Sequence, residues 1–263
     1  MSTDMATVQP ARATRSGPGY WLSSLGLMLR FDLARARQWA AMMVVIQVFM
    51  GVGMALVYGF FYPRVSHQTA LLITTATPTL ALIPLGFVMV PASVGHQKLE
   101  GTFDFTWSLP VPRSAQVVST FLLFTLLSLP GAVLALVVSA WHYGVTLSIS
   151  PQLLPAVLLS AVMAVSVGFG MALVIANPLV TNLVTNALMF VVLLFSPIVF
   201  PASQLPGWLF GIDRVLPFYN MAQVIRAGLT TGLVSDLGTA YLILSGWTVA
   251  GWAMTASVVG RRR

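Results

Sequence analysis

The side chains of this chain that could do acid–base, nucleophilic or metal chemistry are few and scattered. Its 263 residues include six carboxylates, three histidines, one lysine and no cysteine. The histidines lack metal-ligand spacing, no G-x-S-x-G nucleophile elbow occurs, and the residues around Lys98 do not form a G-x-x-x-x-G-K-[ST] phosphate loop. The sequence therefore predicts a chain that is not an enzyme, with no catalytic residue, no metal site and no cofactor bound by the chain itself.

The composition indicates an integral membrane protein. Hydrophobic residues make up 57% of the chain and charged residues 7%, and the mean hydropathy is +0.89, whereas soluble domains carry about 25% charged residues. A soluble fold with so few charges would expose one continuous apolar surface. This excludes secreted disulfide scaffolds, disordered regulators and nucleic-acid-binding modules.

Six apolar stretches are long enough to cross a bilayer, which takes about 20 helical residues. None has a charged residue in its interior, so the spans lack the buried acid or base that proton-coupled carriers use. The predicted fold class is an all-α integral membrane protein with six transmembrane helices. The predicted spans are 40–62, 70–93, 115–140, 152–176, 179–200 and 239–260.

The basic residues predict the orientation of these spans. Ten of the 13 lie before span one, in the loop 94–114 or at 261–263, and three lie between other spans. By the positive-inside rule both termini and the loop 94–114 are expected on the cytoplasmic side. Residues 1–19 predict a disordered cytoplasmic tail, and 261–263 a basic cytoplasmic end.

Residues 20–39 predict an amphipathic helix at the membrane interface. Leucines recur at intervals of three and four from Leu22 to Leu33, and Arg30 and Arg37 lie on the opposite face. The four charged residues between Arg30 and Arg37 disfavour the alternative that span one begins early.

Two spans carry small or polar residues at helical spacing. In span four a small residue occupies every fourth position from Ser160 to Ala176, which lets another helix approach closely. That helix could belong to the same chain or to a dimer partner. In span five Asn182 and Asn186 lie one turn apart, as expected for interhelical hydrogen bonds or for a hydrophilic cytoplasmic entrance.

The cytoplasmic loop 94–114 mixes charges with aromatic residues and ends in a Leu-Pro-Val-Pro-Arg turn. Phe103, Phe105 and Trp107 lie among polar residues, which is typical of a surface that docks a cytoplasmic partner. Anchoring in the lipid interface explains Trp107 as well.

The segment 201–238 is too apolar for a loop in water. After Pro217, the residues Phe218, Met221, Ile225 and Leu229 recur near helical spacing. This pattern predicts two short re-entrant or interfacial helices before the last span.

These segments together resemble the type-2 ABC exporter permease family, over about residues 20–263. After span two that family has a Glu-x-x-Gly-Thr-like sequence and a Pro-Val-x-Arg turn. The counterparts here are Glu100-Gly101-Thr102, without the intervening residues, and Leu109-Pro110-Val111-Pro112-Arg113. The family's motifs around the end of span five are matched by Ser196-Pro197-Ile198-Val199-Phe200-Pro201, Leu205-Pro206-Gly207-Trp208 and Leu216-Pro217-Phe218.

The resemblance implies the permease subunit of an ATP-driven exporter in a prokaryotic cytoplasmic membrane. Its cargo would be an amphipathic small molecule or a lipid. Two ABC nucleotide-binding subunits would carry ATP and Mg²⁺, and a second permease chain, identical or homologous, would complete the pathway within membrane lipid. A structural or assembly subunit of a membrane complex and a secondary carrier are the alternatives, and no nucleic-acid partner is expected.

The resemblance also implies roles for particular residues. Coupling to the ATPase subunit is expected of Glu100, Gly101, Thr102, Phe103, Asp104, Phe105 and Arg113, backed by Arg30, Arg35 and Arg37 of the interface helix. The candidate pathway residues are Gln47, Met50, Met54, Thr75, Thr79, Asn182, Asn186 and Met189. The outer gate and re-entrant residues are Pro197, Phe200, Pro201, Pro206, Trp208, Pro217 and Asn220. We further expect Glu100 to form an ion pair with one of the three interface-helix arginines.

Overall fold

The computed structural model describes residues 17–61, 66–234 and 236–261, and every regular element within these ranges is helical. Most of the predicted tail 1–19 and residues 262–263 of the basic end lie outside the described residues. The α-helices are α1 (Pro18–Ala36), α2 (Ala40–Phe61), α3 (His67–Pro84), α4 (Val90–Leu99), α5 (Thr102–Ser108), α6 (Arg113–Tyr143), α7 (Leu153–Val174), α8 (Pro178–Phe195), α9 (Gly207–Val215), α10 (Pro217–Leu229) and α11 (Leu237–Arg261).

Six helical stretches in the described part of the chain are long and apolar enough to span a membrane, at the positions the sequence predicts. They are α2, the continuous stretch His67–Leu99, α6, α7, α8 and α11. Span two is longer than the predicted 70–93, because a π-helical turn at Leu85–Met89 joins α3 to α4 across Pro84 and Pro91. The predicted loop 94–114 is accordingly helical over most of its length.

Span five is shorter than the predicted 179–200. The helix α8 ends at Phe195, and Ser196 is extended, with φ −81° and ψ 132°. A residue before proline is disfavoured in the α conformation, and Pro197 follows Ser196. The segment Ser196–Phe200 therefore leaves the helix and leads into the short helices that precede α11.

The helix α3 is the centre of the bundle. The most apolar part of the stretch His67–Leu99, to which α3 belongs, is 83% buried, against 17% for each of α2, α8 and α11. It packs against α2, α6 and α10, while α7 packs against α11, α10 and the π-helical turn. The outer helices therefore keep apolar faces available for lipid or for another chain.

The small-residue stripe of α7 faces the π-helical turn of the same chain. Ser160, Ala164 and Gly168 are buried there. A β-carbon added to Gly86 would lie 2.7 Å from the carbonyl carbon of Ala164, and one added to Gly168 would collide with the carbonyl oxygen of Gly86. This confirms packing within the chain for that stretch of the stripe, whereas Ala176 lies exposed beyond the end of α7.

The helix α1 packs along α6 through polar and small residues. Ser24, Asp32 and Ala36 are buried, whereas Leu22 and Leu33 are 61% and 43% exposed. Leu25 and Leu29 of the predicted leucine stripe are half-buried, so the stripe faces the protein in part, whereas its ends at Leu22 and Leu33 point outward.

Candidate functional site

The elbow between α4 and α5 comprises Gly95–Arg113 and lies at the end of the bundle where α8 begins. Gly95 approaches the first residue of α8, since a β-carbon there would lie 3.2 Å from the Pro178 β-carbon. The two helices of the elbow turn at Gly101, whose φ of 71° is left-handed. Such a conformation favours glycine at a helix C-terminus. Gly101 therefore positions α5, and Glu100 and Thr102 flank the turn.

Lys98 ties the elbow to the end of α7. Its Nζ donates hydrogen bonds to the carbonyl oxygens of Ala172, at 2.5 Å, and Ile175, at 3.3 Å. The last carbonyls of a helix lack intrahelical donors and carry partial negative charge, so a cation stabilises them. Sequence reasoning assigned no role to Lys98, although it is the only lysine of the chain.

The aromatic residues of the elbow divide between its inner and outer sides. Phe103 is buried and stacks on Trp107 with ring centroids 5.1 Å apart, and the Arg113 guanidinium lies 5.4 Å from the Trp107 ring centroid. Such a cation over an aromatic face is attracted by the ring quadrupole. Asp104 and Phe105 point outward, and Phe105 is 61% exposed. The elbow is thus packed from within and exposes the Phe105 ring at its outer side.

The helix α1 is joined to the elbow by its first residues. The Tyr20 hydroxyl donates to the carbonyl oxygen of Pro110, and Trp21 Nε1 donates to Ser114 Oγ at 3.0 Å. These hydrogen bonds, rather than the expected ion pair of Glu100 with an arginine, make the link. Sequence reasoning missed Tyr20 because its distance from Pro110 along the chain gives no local signal.

The charged residues of the elbow and of α1 pair locally. Glu100 Oε1 lies 3.3 Å from His96 Nε2, one turn earlier on α4. Arg35 lies 3.8 Å from Asp32, while Arg30 and Arg37 are exposed. Burial raises the pKa of Asp32. The hydrogen bond that it accepts from Ser119 Oγ at 2.6 Å and the charge of Arg35 each lower this pKa in part. Glu100 and Arg35 thus each have a neighbour of opposite charge type on their own helix, and within the described part of the chain no ion pair joins Glu100 to an arginine of α1.

The candidate pathway residues do not form one surface in a single chain. Gln47, Thr75 and Thr79 are fully buried between helices. Gln47 Nε2 donates to the carbonyl oxygen of Leu127 at 3.1 Å, and Gly131 lies against its side chain. Met50 and Met54 are half-buried on α2.

The remaining pathway residues lie on α8. Asn182 and Met189 are half-buried and Asn186 is exposed. Asn186 Nδ2 donates to the backbone carbonyl oxygen of Asn182 at 2.7 Å, one turn earlier on the same helix. The α8 residues therefore present a polar patch at the surface of the chain.

The cap comprises residues 202–229, with a short 3₁₀ turn, α9 and α10, and follows the end of α8 that lies opposite the elbow. Of the predicted gate residues, Pro197, Pro217 and Asn220 are buried, and Phe200 is half-buried. Pro201, Pro206 and Trp208 are exposed. Asn220 Nδ2 donates to the carbonyl oxygens of Arg214 (2.9 Å) and Leu216 (2.7 Å), which fixes the turn between α9 and α10.

A buried aspartate joins α9 to the end of α8. Asp213 is 5% exposed and accepts a hydrogen bond from Ser196 Oγ at 2.9 Å, while its second oxygen, Oδ2, is buried without a hydrogen-bond partner. Burial raises the pKa of this carboxyl, and the hydrogen bond from Ser196 lowers it in part.

A buried arginine joins α10 to α3 and to the same segment. Arg226 is 4% exposed; its Nε donates to Thr75 Oγ1 at 3.1 Å and its Nη2 to the carbonyl oxygen of Ile198 at 2.8 Å. Burial lowers the pKa of Arg226 to about 10, so it stays charged at neutral pH. Among the described residues no carboxylate pairs with it. In the sequence, the burial of Arg226 could have been suspected from its position next to Ile225, which belongs to the inward stripe of α10.

The described residues include no cluster of three histidine or acidic side chains that could hold a metal ion. The elbow is braced by Lys98 and Trp107 at one end of the bundle, and the cap is held by contacts of the buried Asp213 and Arg226 at the other.

The comparison with protein families agrees with this architecture. The family model described as ABC-2 type transporter matches residues 24–230, which run from α1 through the cap. None of the curated proteins compared with the chain matches it. On the family match, which covers more than half of the sequence, this chain belongs to the ABC-2 type transporter family and is a permease-type membrane domain of an ABC transporter.

Proposed function

We propose that this chain is the membrane subunit of an ATP-driven exporter in a prokaryotic cytoplasmic membrane. It pairs with a second permease chain and with two nucleotide-binding subunits that hold ATP and Mg²⁺. The observation that supports this best is the elbow, where Phe105 is exposed on a helix that Lys98 and Trp107 brace from within. A rigid, outward-facing helix suits the transfer of motion from another subunit.

In this proposal the motion passes along span two. The elbow continues through α4 and the π-helical turn Leu85–Met89 into α3, as one stretch from His67 to Leu99. A π-helical turn and a proline are the common sites of bending within a helix. Displacement of α5 therefore tilts α4 about the π-helical turn, and the fixed contact with α7 at Gly86 defines the pivot.

The far end of the same helix reaches the cap. Thr75 on α3 accepts a hydrogen bond from Arg226, which also holds Ile198 beyond the end of α8. A shift of α3 would thus pull on α10 and on the segment after α8 together. We assign this arrangement to opening of the outer exit, with the termini and the elbow on the cytoplasmic side and α1 in the headgroup plane.

The cargo route follows from which helices remain uncovered. The described faces of α2 and α8 are largely exposed and carry no charged residue, as at Phe49 (75% exposed) and Leu183 (71%). A second chain placed against them would enclose a corridor that includes Asn182, Asn186 and Met189. A corridor without fixed charges suits an amphipathic small molecule or a lipid better than an ion.

The test is whether an ATP-binding-cassette ATPase depends on the elbow. The full-length chain is co-expressed with candidate nucleotide-binding subunits, and co-purification and ATP hydrolysis in nanodiscs are measured. Phe105→Ala should abolish or strongly reduce both association and stimulated hydrolysis. Trp141→Ala, which removes an 82% exposed aromatic residue at the opposite end of α6, is the matched control and should leave both unchanged. Equal association by the two variants would refute the docking role.

A further inference from the structure

A cavity of about 260 Å³ opens between α9, α10 and the start of α11, away from the elbow. Its lining combines an ion pair with amide and aromatic side chains. Arg214 Nη2 lies 3.5 Å from Asp236 Oδ2, and Asn220, Gln223 and Tyr219 complete the polar wall. The volume lies below the range of about 300–1,000 Å³ that is usual for drug-sized ligands. The cavity thus suits a small polar group rather than a whole drug-like molecule.

The helix α9 has an exposed apolar face, a buried face and a face that lines the cavity. Trp208, Ile212 and Val215 lie on one stripe and are 70%, 54% and 63% exposed. Asp213 points into the protein, and Arg214 lines the cavity. An exposed apolar stripe beside a polar cavity matches the boundary between lipid tails and headgroups.

The position of Asp236 places the cavity at that boundary. Asp236 directly precedes Leu237, where span α11 begins. Farther along α11, Trp247 donates from Nε1 to the carbonyl oxygen of Val215 at 2.9 Å, which holds α9 against the span. The pair of Asp236 and Arg214 therefore lies where the span leaves the apolar layer.

The charges of the cavity select the headgroup. Both side chains of the ion pair are more than half exposed, at 60% and 58%, so their mutual attraction is weak and can be exchanged for contacts to a ligand. A ligand with a single charge would satisfy only one of the two, whereas a zwitterion satisfies both. Arg214 can bind a phosphate through several N–H donors, and Asp236 can accept hydrogen bonds from a primary ammonium.

We infer that this cavity binds the headgroup of a phosphatidylethanolamine molecule from the surrounding leaflet, with its phosphate on Arg214 and its ammonium on Asp236. The acyl chains lie along the stripe formed by Trp208, Ile212 and Val215. Phosphatidylcholine binds more weakly because its quaternary ammonium has no N–H to donate to Asp236. The site is separate from the proposed cargo route on α2 and α8, and it does not depend on transport.

The test is native mass spectrometry of the full-length chain in detergent, titrated with dioleoyl phosphatidylethanolamine, phosphatidylcholine or phosphatidylglycerol. The native chain should retain one phosphatidylethanolamine in preference to the other two lipids. Arg214→Gln should weaken this binding about tenfold, as expected for loss of a charge-assisted hydrogen bond. Asp236→Asn should reverse the preference towards anionic phosphatidylglycerol. Arg30→Gln, which alters an exposed arginine on α1, is the control and should change nothing.

Two further arms separate a lipid from a soluble zwitterion. Trp208→Ala should weaken retention of phosphatidylethanolamine without affecting binding of glycerophosphoethanolamine, which has no acyl chains. If glycerophosphoethanolamine displaces the lipid at equal concentration, the cavity is a site for a soluble ligand and the inference is wrong. Unchanged lipid preference in both Arg214→Gln and Asp236→Asn would overturn it as well.

Discussion

Replacing Gly86 by alanine should force α7 away from the π-helical turn of span two. The added β-carbon would lie 2.7 Å from the carbonyl carbon of Ala164 and 2.9 Å from its oxygen, whereas ordinary van der Waals contact begins at 3.4 Å. These are backbone atoms of a helix, so no side chain can rotate to relieve the overlap. Overpacking of this kind costs about 1–3 kcal/mol. In a membrane protein the loss is not offset by burial of apolar area, since lipid is as apolar as the helix surface.

The matched control is Gly246→Ala on α11, where a β-carbon meets no atom within 4 Å. Alanine in an open helix interior is favoured over glycine by about 0.5–1 kcal/mol, so this variant should be slightly stabilised. Thermal unfolding in detergent should therefore show opposite shifts, with Gly86→Ala lowering the Tm by about 2–12 °C. Equal Tm values for the two variants would refute the close packing. If Gly86→Ala lowers the Tm but leaves the coupling to ATP hydrolysis intact, the close packing is confirmed and the proposed pivot at Gly86 is wrong.

Three further predictions concern the buried polar contacts. Lys98→Met should destabilise the chain by about 1–3 kcal/mol, because the carbonyl oxygens of Ala172 and Ile175 lose a cationic donor; Lys98→Arg should recover part of the lost Tm. Arg226→Met should speed hydrogen exchange in α10, because its hydrogen bonds to α3 and to the segment after α8 are lost, and unchanged exchange would show that the cap is held otherwise. Burial raises the pKa of Asp213 above 3.8. The protonated carboxyl therefore makes its full contribution to the free energy of unfolding below pH 3.8, and this contribution is lost as the pH rises through the raised pKa. An asparagine does not ionise, so Asp213→Asn should not lose this contribution. When the pH is raised from about 4 to about 7, the Tm of the variant should therefore rise relative to the Tm of the native chain.

Patterns that a single helix imposes were predictable from the sequence. The six spans follow from runs of apolar residues of sufficient length, and the stripe from Ser160 to Gly168 follows from a period of four. The end of α8 at Phe195 was predictable from Pro197, because a residue before proline disfavours the helix. The continuation of span two across Pro84 was not predictable from the sequence, since a π-helical turn depends on how α7 packs against it.

Contacts between distant elements were not predictable. Lys98 entered the sequence analysis only as a basic residue of the cytoplasmic loop, yet it donates to the carbonyl oxygen of Ala172, and nothing near it in the sequence indicates that contact. Glu100 was assigned a partner on α1 from charge alone, although His96 lies one turn away on its own helix. Local partners are reached at lower entropic cost than distant ones. The hydrogen bond from Tyr20 to Pro110 was not predictable either, because the two residues are 90 positions apart in the sequence.

The buried charges of the cap suggest why it can move as one unit. Asp213 and Arg226 act on the same short segment from two helices, one through Ser196 Oγ and the other through the carbonyl oxygen of Ile198. Neither forms an ion pair with the other, and Asp213 Oδ2 has no hydrogen-bond partner in the described structure. A desolvated carboxyl with one unpartnered oxygen, and a desolvated guanidinium that no carboxylate of the described residues neutralises, weaken the closed cap relative to an apolar contact of equal size. In the proposed exporter the hydrogen bonds to Ser196 and Ile198 hold the outer end of span five at rest. Because this closure is weak, a displacement of α3 at Thr75 can release it.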